Sequence, residues 1–142
     1  MKRTATAVWN GTLKEGNGKL STLSGAISDL PYTHKGRFVD ETGQSGTNPE
    51  ELIAAAHAGC FSQQLAAFLA ENGTPATELN TTTEVELIPG TGITGSALKL
   101  QANVPGIDRA RFDELAQKAK AECPVSRALG AITVTLEATL VG

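Results

Sequence analysis

Aromatic residues are scarce in this 142-residue chain, with one Trp, one Tyr and four Phe, so its core must come mainly from Ala, Leu, Val and Ile. Histidine and cysteine number two each. A metal centre needs three or four ligands, and the only closely spaced pair is His57 and Cys60, so no metal is expected. Charge of one sign is also lacking: 12 basic and 15 acidic residues are mixed along the chain, for a net −3. No basic run or basic helix face occurs, which argues against a nucleic-acid partner. No apolar run reaches the roughly 18 residues that suggest a membrane span. The start, Met1-Lys2-Arg3-Thr4, leads into a polar-alternating stretch with no apolar segment behind it. Neither a secretory signal nor a membrane partner is therefore expected. Phosphate loops, dinucleotide fingerprints and serine elbows are missing, and with them any sign of a cofactor. A chain without an export signal is expected in the reducing cytoplasm, where a structural disulfide is uncommon. That setting gives two cysteines more weight.

What is present reads as one α+β domain spanning residues 1–142. Small and apolar residues alternate with threonine over Thr4 to Trp9, and Asn10-Gly11 is a turn signal. Lys19 to Ser24 gives a second strand, and a hairpin is expected. Residues 28 to 47 read as irregular, with Pro31, Gly36, Gly43 and Gly46. A helix is predicted from Asn48, with Asn48 as cap, Pro49 in the first turn and Glu51 placed for a capping box. Its run from Leu52 to Ala70 is apolar on nearly all sides, which predicts a buried, central helix, covered by a sheet alone or by a sheet and a second copy of the chain, and stopped at Asn72-Gly73. Thr81 to Leu87 and Ile93 to Val104 alternate as strands. Asp108 to Glu122 has helical spacing, with Phe112, Leu115, Ala116 and Ala119 on one face. Cys123-Pro124 interrupts it, and a short helix over 125–129 and a last strand over 132–141 follow.

Two residues carry the chemical interest. Cys60 lies within the apolar helix and reads either as a small buried hydrophobe or as a reactive thiol. His57, three positions before it, and Gln64, four after, share its face. Cys123 stands where a side chain caps the short helix that follows, so its sulfur is expected to face free N–H groups that favour a thiolate. Lys118, Lys120 and Arg127 are near it in sequence. The other reading is a cysteine at a helix break with no role. A separation of 63 positions rules out a local Cys-x-x-Cys motif, and a Cys60–His57 hydrolase is disfavoured by the rigid one-turn spacing.

Gly46-Thr47-Asn48-Pro49-Glu50-Glu51 through Ala54-Ala55-Ala56-His57-Ala58-Gly59-Cys60-Phe61 resembles the first cysteine motif of the OsmC (osmotically inducible protein C) family. Ala121-Glu122-Cys123-Pro124-Val125-Ser126 resembles the second. Val104 to Asp108 and the stretches at Pro31-Tyr32 and Arg37-Phe38 are similar to that family too. An arginine placed before the central helix points to the OsmC branch rather than to the sister branch of organic hydroperoxide resistance proteins. The resemblance implies antiparallel sheets wrapped around a long central helix in an intertwined homodimer. It also implies reduction of organic hydroperoxides, and less readily of hydrogen peroxide, by two cysteines recycled by an external dithiol. Cys60 matches the peroxidatic position, Cys123 the resolving one, Arg37 the activating arginine and Glu50 the carboxylate that orients it. Phe38 and Phe61 are expected to wall an apolar substrate pocket. A redox sensor or small-molecule binding protein using the same pocket is the competing reading.

One distance constrains these roles. Glu50 precedes Cys60 by ten residues, about 15 Å along a straight helix axis. It is therefore expected to act through Arg37, or beside the Cys60 of a second copy across antiparallel central helices.

Overall fold

Capping and periodicity set most of the elements, which a computed structural model describes for all residues, 1–142. They are β1 (Ala5–Asn10), β2 (Asn17–Thr22), β3 (Leu30–Thr33), α1 (His34–Phe38), α2 (Pro49–Glu71), β4 (Glu78–Ile88), β5 (Gly92–Asn103), α3 (Arg109–Glu122), α4 (Pro124–Ala128) and β6 (Thr133–Leu140). The chain divides into two compact units, Met1–Leu52 and Ile53–Gly142. The boundary falls within α2.

In the first unit, β1 and β2 form the expected antiparallel hairpin. The stretch read as irregular holds two elements: β3 pairs antiparallel with β2, and α1 follows it. Pro31 hid β3, yet a strand at the edge of the order β1-β2-β3 tolerates a residue without an N–H. Thr33 caps α1 by accepting from the Gly36 N–H at 3.1 Å. Gly18 pairs with Trp9 on one side and Tyr32 on the other. A Cβ there would come within 2.4 Å of the Tyr32 ring and 2.7 Å of the Trp9 ring. Its missing side chain lets the two aromatics lean together, 5.2 Å between centroids. Beyond α1 the Asp40 carboxylate accepts from the Thr42, Gln44 and Ser45 N–H groups and the Thr42 hydroxyl. These bonds favour the anion and hold its pKa far below the usual carboxylate range.

The start of α2 follows the sequence closely. Asn48 Oδ1 accepts from the Glu51 N–H at 2.8 Å, while the Glu51 carboxylate takes the Thr47 hydroxyl at 2.7 Å instead of closing a capping box. At the other end Gly73, with φ +78°, permits the bond from the Thr74 N–H to the Leu69 carbonyl. Burial departs from expectation. His57, Phe61, Leu65, Phe68 and Leu69 form one buried stripe, whereas Ala55, Ala56, Gly59, Gln63, Ala66, Ala67 and Ala70 are exposed. Hydropathy reports what a surface prefers, not what covers it in one chain. The 23 residues of α2 are also long and apolar enough to cross a membrane by length and composition, contrary to the expectation that no run qualifies.

In the second unit β4 and β5 pair antiparallel, and β6 runs parallel beside β5. This sheet is therefore mixed rather than wholly antiparallel: a parallel neighbour needs a crossover, and α3 with α4 supplies it. Asp108 caps α3 by accepting from the Arg111 N–H. The predicted face of Phe112, Leu115, Ala116 and Ala119 is buried, as expected from its spacing. Phe61, Leu65 and Leu69 meet Leu98, Leu100 and Ala102 of β5 and Phe112 and Leu115 of α3 in one core. Burying such side chains is worth about 1.5–3 kcal/mol each.

Candidate functional site

Cys60 and Cys123, far apart in sequence, come together in the second unit. Their Sγ atoms are 3.0 Å apart, and both cysteines are free thiols. Cys60 is half-buried on α2, and Cys123 is 0% exposed. Cys123 stands between two helices: its N–H closes α3 on the Ala119 carbonyl at 2.8 Å, and its carbonyl opens α4 by accepting from the Arg127 N–H at 3.0 Å. Its sulfur does not cap α4, contrary to expectation. The backbone N–H of Val125, near the start of α4, instead favours the thiolate of Cys60. The dipole argument thus had the right helix and the wrong cysteine.

Burial pushes the Cys60 thiol above its ordinary pKa, the neighbouring Cys123 pushes it further, and the Val125 N–H opposes both. The contents of the second unit therefore favour the protonated thiol. The cation expected to reverse this, Arg37, belongs to the first unit. Arg37 grips Glu50 in the first unit, Nη2 to Oε1 at 2.8 Å and Nε to both oxygens at 3.3 Å. The side chains are 35% and 10% exposed, so Arg37 is a partner to a largely buried carboxylate rather than a solvated surface charge. Its guanidinium also lies 4.9 Å from the Phe38 ring centre. Beside them is a cavity of about 280 Å³ lined by Trp9, Leu13, Tyr32, Arg37, Phe38 and Pro49. Phe38 fits the expected apolar wall. Phe61 does not: it is 0% exposed within the core of the second unit.

The four residues singled out from the sequence thus form two pairs, Cys60 with Cys123 and Arg37 with Glu50, in different units. Sequence reasoning missed two serines. His57, 0% exposed, hydrogen-bonds Ser96 of β5 through Nδ1 at 2.6 Å and Ser126 of α4 through Nε2 at 2.7 Å. The signal for Ser126 was its spacing, three residues after Cys123, which mirrors His57 three before Cys60. Ser96 carried no comparable signal.

Burial lowers the His57 pKa below its ordinary value near 6.5. The folded state thus prefers the neutral ring, and its contribution to stability is complete above that value. As the pH falls below it, the unfolded chain takes up the proton first and stability is lost. The urea midpoint is expected to drop between about pH 7 and pH 5, and His57→Gln to lessen that drop; an equal drop in the variant would assign it to other groups.

An α+β fold that sets a half-exposed thiol against an enclosed one defines a dithiol protein. Residues 42–137 match the family described as OsmC-like protein, and the chain belongs to that family. It is 48% identical over 134 residues to "Peroxiredoxin OsmC" of Escherichia coli (strain K12), across 92% of this chain and 91% of that one. "Organic hydroperoxide resistance protein" of Xanthomonas axonopodis pv. citri (strain 306) is 38% identical over 107 residues, 70% of this chain and 72% of its own. Among solved structures, the organic hydroperoxide resistance protein OhrB of Bacillus subtilis superposes with a TM-score of 0.69 at 28% identity, covering 96% of this chain and 98% of that one.

Proposed function

We propose that this chain is a cysteine-based peroxidase that reduces organic hydroperoxides, and hydrogen peroxide less well. The observation that carries the reading is the 3.0 Å contact between a partly buried and an enclosed thiol. In the first step the Cys60 thiolate attacks one peroxide oxygen, the O–O bond breaks, and an alcohol leaves as Cys60 becomes a sulfenic acid. In the second, the Cys123 sulfur attacks that of Cys60 and expels water, giving a disulfide. Closing the contact to about 2.0 Å asks for a movement of only about 1 Å. An external dithiol, in the cytoplasm, then returns both cysteines to thiols.

Cys60 needs a cation to reach its thiolate, since burial and Cys123 raise its pKa. We assign that cation to Arg37, oriented by Glu50 and supplied by a second copy of the chain in a homodimer. Support comes from the helical distance between Glu50 and Cys60 and from the exposed small-residue face of α2, which suits a close helix partner. The cavity next to Arg37 offers aromatic and aliphatic walls to the organic group of the peroxide. Steady turnover of cumene hydroperoxide with a dithiol reductant is the expected result. Oxidation that stops after one equivalent per chain would favour a redox sensor instead.

A further inference from the structure

His57 hydrogen-bonds two serines rather than a sulfur and is 0% exposed, yet it joins the two elements on which the sulfurs depend. It sits on α2, one turn before Cys60, and bonds Ser126 at 2.7 Å, three residues into α4. Cys123 is the residue at the head of α4. The helix is five residues long and cannot hold its own place by local hydrogen bonding. Two pins fix it on α2: the Cys60 sulfur, through the Cys123 thiol, and the His57 ring, through the Ser126 hydroxyl. The first pin involves the reacting sulfur itself and must change during the cycle. The second does not react. Its other nitrogen bonds Ser96 at 2.6 Å on β5, a strand that carries neither cysteine.

We propose that the His57–Ser126 hydrogen bond is the positioning element that holds Cys123 against Cys60 while Cys60 is oxidised. When Cys60 becomes a sulfenic acid, its sulfur gains an oxygen and its contacts with α4 must shift. The anchored ring keeps Cys123 within reach, so that disulfide formation precedes attack by a second peroxide. A neutral imidazole suits this role, because one nitrogen donates while the other accepts, which satisfies both serines in a buried place. His57 and Ser126 are therefore positioning residues for the second chemical step and leave the first untouched. The proposal rests on the two-step thiol cycle above.

A disulfide probe separates the steps without peroxide. The Cys60 thiolate attacks dithiodipyridine, forms a mixed disulfide and releases one thiopyridone. Cys123 then attacks the Cys60 sulfur, closes the internal disulfide and releases a second. Ser126→Ala is expected to leave the first release within about twofold of wild type and to slow the second about tenfold. Ser96→Ala, which removes an equivalent bond at the other nitrogen, is expected to lose comparable thermal stability yet keep the ratio of the two rates. An unchanged ratio in Ser126→Ala, or an equal fall in both variants, overturns the proposal. Should alanine leave too little folded protein, Ser126→Thr retains the hydroxyl and is expected to hold the ratio within about twofold; a tenfold fall in that folded variant overturns it as well. The outcome stands apart from the peroxidase reading, which cumene hydroperoxide tests separately.

Discussion

Cys60→Ser is expected to lower turnover of cumene hydroperoxide by at least about a thousandfold, whereas Cys123→Ser is expected to oxidise once and stall. The asymmetry comes from exposure. Cys60 is half-buried, while Cys123 is enclosed in the core. Removing Cys60 deletes the nucleophile, and a serine hydroxyl does not replace a thiolate. Removing Cys123 leaves the first step in place but strands Cys60 as a sulfenic acid. Dimedone should trap that species, and excess peroxide should drive it to the sulfinic acid. Mass spectrometry after one equivalent of peroxide distinguishes the outcomes. Full turnover by Cys123→Ser with the dithiol reductant would sink the two-cysteine cycle, and a cysteine hydrolase would survive that substitution unharmed.

The second large effect concerns where the proposed activating arginine, Arg37, comes from. Cys60→Ser and Arg37→Ala are each expected to be nearly inactive alone. If the arginine of one copy serves the cysteine of the other, a mixed dimer contains one site with Cys60 from the Arg37→Ala chain and Arg37 from the Cys60→Ser chain. The opposite site lacks both. Random re-pairing of equal amounts makes half the dimers mixed, each with one working site, so about a quarter of wild-type activity should return. A site built within one chain restores nothing on mixing. The Arg37→Ala protein should also require a higher pH than wild type for Cys60 to react, because burial and Cys123 then raise its pKa unopposed by a guanidinium. A pH profile of the first step, unchanged by the substitution, would remove Arg37 from the site.

Local signals were the legible part of this fold. Asn48 announced the start of α2 and Gly73 its end, because a cap is settled within four residues of chain. The buried face of α3 followed from spacing alone. Elements whose reasons lie at a distance were harder to read. β3 carries Pro31 and was read as loop, since only its pairing with β2 makes it a strand. The parallel placement of β6 depends on a crossover that periodicity does not report. At the site, the cysteines, Arg37 and Glu50 were picked out by resemblance. The structure pairs the first two across 3.0 Å and the last two across 2.8 Å. The helix terminus at Cys123 was visible in the sequence, but the sulfur that would use it was not. Nothing local to Pro124-Val125-Ser126 says that the Val125 N–H favours the thiolate of a cysteine on α2.

The complete enclosure of Cys123 also bears on how the cycle is reset. In the proposed disulfide, Cys60 is the less buried half. A reductant must therefore strike that sulfur and eject Cys123 as the leaving thiol. Oxidant and reductant would enter by the same mouth, one after the other, and a bulky peroxide lodged there would delay its own enzyme's recovery.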